Sequence, residues 1–357
     1  MKRIAQVVQH LSPGGIETLV LDLQRFSLPG EQVHIVSLEG RKPHACQAWS
    51  RLDESDAQLH FLDKPAGLSA ATLWRLLRLL RELRIDAVHT HHIGPLLYGG
   101  LAARLAGVTD VIHTEHDIWH LNDARRRKVE RLALALVRPH LVADAKVVAA
   151  GLKIHFPTSH PTVIHNGIDT DKFSPGDKQT ARRVLGLPQQ VPMIGCAARL
   201  QSVKGHAVLL DALLRINKQV HLVLAGDGPM ETELRNQVRD RYDERRVHFL
   251  GRVDDMPTFY RALDVFCLPS LNEGMPLSPL EAQACGIPSV VTDVGGCSES
   301  LCPNTGSLVP ANDALALANA LDRQLETTSA CSPRDFVVQN ADVHSMTRAY
   351  ARLRGAA

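Results

Sequence analysis

No stretch of the 357 residues approaches the roughly 18 consecutive apolar positions that a membrane-spanning helix needs. The short run Ile4–Val8 after Met-Lys-Arg is too brief for a secretory signal core and reads as a first strand. Neither sign of charge dominates: 40 Lys and Arg stand against 38 Asp and Glu, so no global field argues for nucleic acid. Any basic partner surface must be local. The seven cysteines, at 46, 196, 267, 285, 297, 302 and 331, are odd in number and contain no C-x-x-C pair. They read as reduced thiols of a cytoplasmic protein, several of them in its core. A G-x-G-x-x-G dinucleotide fingerprint is absent too.

What is present is alternation. Strand-like runs at 4–8, 32–38, 87–90, 111–114 and 163–164 are separated by helical patterns near 15–27, 69–84, 95–106, 123–137 and 145–155. The pattern restarts after Gly186-Leu-Pro188, with strands at 193–197, 221–225, 247–250, 265–268 and 289–292. Between these lie helices near 205–216, 229–241, 256–263 and 279–285. Two such series predict two doubly wound α/β domains with parallel sheets, Rossmann-like in kind. Residues 1–168 form the first and 169–339 the second, with a polar, Pro- and Gly-bearing linker around 166–183. An amphipathic C-terminal helix, about 340–357, could pack back onto the first or across the second. Ligands of parallel sheets sit at the carboxyl ends of strands, so two domains facing across a cleft would present two such edges.

Several motifs fall at those edges. Gly14-Gly15, after the first strand, makes a turn where backbone can approach a ligand closely, though glycine in such turns is common. Arg199 and Lys204 follow the first strand of the second domain and suit a diphosphate, the Arg as a fork and the Lys as a point charge. Two solvated surface charges are the plainer alternative. "LAGDGP" at 224–229 reads as a tight turn, and Gly251-Arg-Val253 as exposed backbone against which a flat base could lie. Asp254 and Asp255 are adjacent, a poor metal clamp. "HTHH" at 89–92 and "HTEH" at 113–116 lack regular ligand spacing and a Cys partner, so no metal is expected. His89 reads as core or strand edge and His116 as facing the cleft.

"SLNEGMPLSPLEAQACG" at 270–286 carries two acids, Glu273 and Glu281. Ser278-Pro-Leu-Glu281 has capping-box spacing, which would turn Glu281 back onto its own helix. The alternative is a helix N-terminus flanked by acids that grip sugar hydroxyls.

Together with "PGGIE" at 13–17, "HTEHD" at 113–117, "VIHNGID" at 163–169, "RLQSVKG" at 199–205 and "PSLNEGMPLSPLEAQACGIPSVVTDVGG" at 269–296, these motifs resemble those of retaining family 4 glycosyltransferases of the GT-B fold. The resemblance covers nearly the whole chain. It implies an N-terminal acceptor-binding domain and a C-terminal domain for a UDP- or GDP-sugar donor. By the same resemblance, Glu281 binds the nucleotide's ribose and Glu273 the donor sugar, with backbone of Gly274, Met275, Pro276, Leu277 and Ser278 on sugar and phosphate. Arg199 and Lys204 stabilise the diphosphate without a metal, and no cofactor is implied. Gly15 approaches the phosphates, Gly251 and Val253 the base, and His116 the donor sugar. The implied reaction moves a sugar to a saccharide or lipid-linked saccharide acceptor in bacterial surface-polysaccharide synthesis. Two other readings stay open. One is an epimerase, hydrolase or phosphorylase-like enzyme on the same fold, and the other a catalytically silent nucleotide-sugar-binding partner of another transferase.

On the acceptor side, "LWRLLRLLRELR" at 73–84 places Arg75, Arg78 and Arg81 along one helical side and leucines on the other. A solvated charged face is one reading. The other is peripheral attachment to an anionic membrane surface, with help from Trp74 and the basic cluster at 124–128.

Overall fold

The computed structural model describes residues 1–216, 219–327 and 331–355, with backbone alone at 54–57. The chain forms two compact units: Met1–Gly167 together with Val343–Ala357, and Ile168–Asp342. Ala356 and Ala357, the tip of the expected C-terminal helix, lie outside the described residues.

In the first unit seven parallel strands run in the order β3-β2-β1-β4-β5-β6-β7. They are β1 Lys2–Val8, β2 Glu31–Ser37, β3 Leu59–Phe61, β4 Ala87–His91, β5 Asp110–Glu115, β6 His140–Ala143 and β7 Thr162–Val163. The second unit has six, ordered β10-β9-β8-β11-β12-β13. These are β8 Met193–Ala197, β9 His221–Ala225, β10 Val247–Gly251, β11 Val265–Leu268, β12 Ser289–Thr292 and β13 Ser307–Val309. Every described pairing is parallel, as helical crossovers require. Consecutive apolar residues such as Ile4, Ala5, Val7 and Val8 are all buried because helices cover both faces of a parallel sheet. The strand order reverses around β1 in the first sheet and around β8 in the second. Such switch points open a crevice beyond the strand ends, where the two flanking loops diverge. This places the loops after β1 and β4, and those after β8 and β11, at the ligand-binding edge of each unit.

The short edge strands β3 and β13, three residues each, escape a periodicity reading. So do the helices Lys42–Ala48 and Ala314–Glu326, although Asp313 caps the latter through the N–H groups of Leu315 and Ala316. The helical stretch from Ile93 to Ala106 is wound wider over Leu96–Gly100. There Gly99 lies against Thr90 and Val7, and Gly100 against Val137.

The C-terminal helix Val343–Leu353 packs on the first unit. Val343, Met346 and Tyr350 bury against Leu19, Leu23, Ile112, Val142 and Ile164. Tyr350 Oη also meets Thr114 Oγ1 at 3.1 Å. Just beyond it, Arg354 donates to Glu31 Oε1 at 2.7 and 3.2 Å, both side chains only 5–6% exposed. Replacing Arg354 by Met strands a buried carboxylate and is expected to cost about 3 kcal/mol in urea unfolding. Adding Glu31→Gln should restore most of that loss, and an unchanged unfolding midpoint in the single variant would show the pair to be inert.

Candidate active site

In the second unit, the turn at 224–229 grips the backbone leaving β8. Ala198 N–H donates to Ala225 O at 3.1 Å, Leu200 N–H to Asp227 O at 2.7 Å, and Met230 N–H to Leu200 O at 3.0 Å. Arg199, held between these anchors, projects its side chain into solvent. A tight turn Ser202–Lys204 follows, and then Gly205 at φ +69°. A Cβ there would fall 1.9 Å from the carbonyl oxygen of Pro269, so glycine alone lets the loop after β8 lie against the loop after β11. Leu271 N–H to Val203 O, at 2.8 Å, closes the same seam.

That seam brings Lys204 to Glu273. Lys204 Nζ donates to Glu273 Oε1 at 2.6 Å, and Ser270 Oγ donates to the same oxygen at 2.6 Å. Ser270 is fixed in turn by Thr292 Oγ1, which donates to its carbonyl at 2.6 Å. The two charged side chains are 19% and 9% exposed, so this is a largely desolvated pair rather than a surface one. Lys204 is thus no solvated loop cation. The loop after β12 presses from the other side: Gly295, at φ +52°, would place a Cβ 1.8 Å from Glu273 O, and Gly296 N–H donates to Gly274 O at 2.7 Å.

The capping box is not formed. The helix Ser278–Ala284 follows Leu277 in helical geometry, with no side-chain cap. Glu281 instead accepts from the phenol of Tyr260 at 2.6 Å. Tyr260 is completely buried, and burial, followed by the nearby Glu281 charge, pushes its ionisation well up. The phenol therefore stays a donor. Gln283 pins the helix with bonds to Pro279 O, Ser300 O and the N–H of Cys302. Tyr260 and Ser270 are the orienting residues that sequence reading missed; within "TFYRALDVF" the tyrosine looks like any core aromatic.

Gly251, at φ +65°, has open space where a Cβ would sit, and its carbonyl accepts from Gly226 N–H at 2.7 Å. Val253 is half-buried two residues on. Asp255 caps the helix Met256–Arg261, accepting from Thr258 N–H and Oγ1. Sequence reading also passed over a D-x-D spacing at Asp169-Thr-Asp171. In the structure Asp169 Oδ1 accepts from the N–H groups of Asp171 and Lys172, the geometry of a turn.

In the first unit, Gly15 opens the helix Gly15–Arg25 with nothing near its missing Cβ. Glu17 folds back over Gly14 and pairs with His10 at 3.1 Å. His116 departs from its expected orientation. Its ring is buried, with Nε2 on His91 Nδ1 at 3.0 Å and Nδ1 on Asp144 Oδ2 at 3.2 Å. His91 continues the chain to Gln6 Oε1, and Asn166 donates to Asp144. Burial holds the ring because loose polar groups inside the sheet would be costly, so both nitrogens are spent internally.

The family description Glycosyltransferase Family 4 matches residues 13–172, and Glycosyl transferases group 1 matches residues 191–327. The chain belongs to glycosyltransferase family 4. It is similar to a UDP-Gal:alpha-D-GlcNAc-diphosphoundecaprenol alpha-1,3-galactosyltransferase of Escherichia coli, 32% identical over 274 residues, 71% of this chain and 69% of the relative. A GDP-mannose-dependent monoacylated alpha-(1-6)-phosphatidylinositol monomannoside mannosyltransferase of Corynebacterium glutamicum is 30% identical over 71% of each chain. In fold the glycosyltransferase resembles Anabaena HepE, solved with UDP and glucose, with a TM-score of 0.85 over 99% of both chains at 21% identity. Its two parallel-sheet units are therefore those of the GT-B fold.

Gly295→Ala tests the backbone contact beneath Glu273. Strain at this φ together with the 1.8 Å approach is expected to cost about 1–3 kcal/mol in stability. Turnover should fall at least tenfold as the 273–274 backbone shifts. Wild-type melting and turnover together would mean that the approach constrains nothing.

Proposed function

We propose that this glycosyltransferase moves a sugar, with retention of anomeric configuration, from a UDP- or GDP-sugar to a saccharide or lipid-linked saccharide in cell-surface polysaccharide assembly. The observation that carries the donor half is the convergence of Lys204, Ser270 and Glu273 at the switch point of the second sheet, beside exposed Arg199. Relatives support both nucleotide bases: one is named for UDP-Gal and another for GDP-mannose. The first also acts on a diphosphoundecaprenol-linked sugar, and the second on a phosphatidylinositol mannoside, which favours lipid-linked acceptors.

The chemistry follows from charge. As the bond between the anomeric carbon and the phosphate oxygen breaks, negative charge grows on the diphosphate. Lys204 meets it as a point charge and Arg199 as a planar fork, with no metal needed at the phosphates. Glu273 holds the ammonium in place before the donor binds, and its carboxylate then accepts from the sugar hydroxyls. Tyr260 steadies Glu281 so that it can accept from the ribose hydroxyls. Attack comes from the face the leaving group departs, and the acceptor proton passes to a leaving phosphate oxygen. No enzyme nucleophile enters the balance. Gly15 gives the phosphates and acceptor close access to backbone. His116, with its ring committed, serves the donor sugar through its backbone.

The acceptor reading rests on surface chemistry of the first unit. Arg75, Arg78 and Arg81 are exposed on the helix Ala70–Glu82, which packs beside Leu101–Ala106, itself beside Ala124–Val137. Trp74, Leu105 and Leu136 stand 68%, 57% and 58% exposed on these helices. Exposed apolar side chains among cations suit the headgroup region of an anionic bilayer, on the cytoplasmic face.

Lys204→Ala is expected to lower turnover at least about a hundredfold, the loss typical of a transition-state donor. Because it also strips a partner from Glu273, melting should drop modestly, and Lys204→Arg should recover stability before rate. Turnover near wild type in Lys204→Ala would sink the phosphate assignment. For the membrane, sedimentation with phosphatidylglycerol liposomes at low salt is expected, with release at roughly several hundred millimolar as screening shortens. Arg75→Gln, Arg78→Gln and Arg81→Gln combined should abolish it. Equal sedimentation of that variant, or none of the wild type, would mean the helix has only a solvated face.

A further inference from the structure

The first unit holds a second concentration of chemistry, where the end of β5, the turn Trp119–Asn122 and the helix Ala124–Val137 meet. Glu115 and Glu130 are fully buried there. His113 Nε2 lies 2.7 Å from Glu115 Oε1, and His120 Nε2 lies 3.0 Å from Glu130 Oε2 and 3.9 Å from Glu115 Oε2. One ligand atom from each of His113, Glu115 and Glu130 falls within 4.8 Å of the others. His92, whose side chain is a third exposed, lies 3.6 Å from Glu115 Oε2 on the solvent side.

The outer hydrogen bonds decide what the ring nitrogens face. Thr90 Oγ1 donates its one proton to Ile112 O at 3.3 Å, so it accepts from His113 Nδ1 at 2.9 Å. His120 Nδ1 donates to Asp117 Oδ1 at 3.0 Å. With each ring's Nδ1 proton given to these outer partners, both Nε2 atoms turn a lone pair toward carboxylate oxygens. A lone pair facing a carboxylate at such distances is repulsive unless a cation stands between them. Two cations can serve, a second proton on each ring or one metal ion.

The carboxylates discriminate. A proton on each Nε2 satisfies Glu115 Oε1 and Glu130 Oε2 but leaves Glu130 Oε1 without a hydrogen-bond partner and Glu115 Oε2 with only the longer approaches of His92 and His120, at 3.6 and 3.9 Å. Buried carboxylate oxygens without donors are costly. An ion among His113, Glu115 and Glu130 draws on all three at once with His120 alongside, and two carboxylates neutralise its charge. We propose that His113, Glu115 and Glu130 hold a divalent first-row metal ion and that His120, beside Glu130, turns in to complete four-coordination, zinc being the best match to two imidazoles and two carboxylates. Ligand atoms around tetrahedral zinc sit about 3.4 Å apart, from bonds of about 2.0–2.2 Å. Those of His113, Glu115 and Glu130 lie within 4.8 Å of one another, and His120 Nε2 lies 3.0 and 3.9 Å from the two carboxylates, so small side-chain shifts close the shell around an ion. The Nδ1 bonds to Thr90 and Asp117 are the outer partners that fix such histidines. With no open position the ion is structural. It ties β5 to the 119–122 turn and the following helix, and so fences the segment that begins at His116. The sequence concealed the site because its four ligands come from three elements with no repeating interval.

The test is metal content of the intact chain purified after growth in zinc-supplemented medium. About one zinc per chain is expected, resisting brief exposure to EDTA. Stripping under prolonged chelation should lower the melting temperature by roughly 5 °C or more, with recovery on adding Zn²⁺ alone. Glu130→Gln should lose the ion, and Asp117→Asn, which leaves every ligand in place, should weaken zinc binding about tenfold or more. Absence of stoichiometric metal in wild type, with melting indifferent to Zn²⁺, would overturn the site and leave a cluster of imidazolium and carboxylate. Zinc retained at full stoichiometry and affinity in both variants would also overturn it, by placing the ion elsewhere.

Discussion

Two carbonyl oxygens occupy the space that side chains would need. Pro269 O stands against Gly205 and Glu273 O against Gly295, each closer than 2 Å to the position of an added Cβ. Everything chemical in the second unit depends on these approaches. They bring the loops after β8, β11 and β12 into one layer at the switch point, where Lys204 can reach Glu273 and Ser270 can share its oxygen. A loop layer this closely packed fixes the cation before any ligand arrives, which is the preorganisation that the proposed diphosphate role would need. The pair also restrains itself. Lys204 is held by Glu273, so the pair itself is neutral as it stands.

The two units solve the problem of a buried sheet differently. In the second, β8, β11 and β12 are lined by Ile194, Cys196, Val265, Cys267 and Val290, a core that excludes water and asks nothing of direction. Burial raises the thiols, Cys196 to about 12, so they remain protonated and inert. In the first, β4 and β5 bury His89, His91, His113 and Glu115. Polar groups in that position must each find a partner, and the partners fix angles as well as distances. Burial, with a further push from neighbouring basic groups, moves His89 and His91 well down, away from the charged form.

Much of this was legible in the sequence where periodicity and motif agree. The run "MIGCA" at 193–197 with Arg199 and Lys204 behind it names a strand and its loop together, and "SLNEGMPLSPLEAQACG" names the loop and helix that face it. What one dimension could not show was partnership. Ser278 and Glu281 stand at capping-box spacing, yet Tyr260, 21 residues upstream of Glu281, outcompetes the cap because its buried phenol has to donate somewhere. Lys204 and Glu273 are 69 positions apart, and only the seam at Gly205 makes them neighbours. His116 follows a strand end, which in the sequence points it to an open edge. Its ring turns inward because Asp144 and His91, on neighbouring strand ends, need it more than solvent does.

That inward turn limits what the ring of His116 can offer a substrate. A histidine with both nitrogens engaged in the chain Gln6–His91–His116–Asp144–Asn166 cannot give one to substrate without leaving a buried acceptor behind. Its backbone carries no such debt. The ring then acts as an anchor that fixes the strand-end peptide, and the polar interior is the means by which an exposed loop is held as rigidly as a strand. The second unit reaches the same rigidity with glycine and close backbone contact. Two unlike interiors thus converge on one arrangement, loops tied by fixed contacts at the carboxyl ends of parallel strands. A transferase that stabilises a brief separation of charge needs that immobility more than any single reactive side chain.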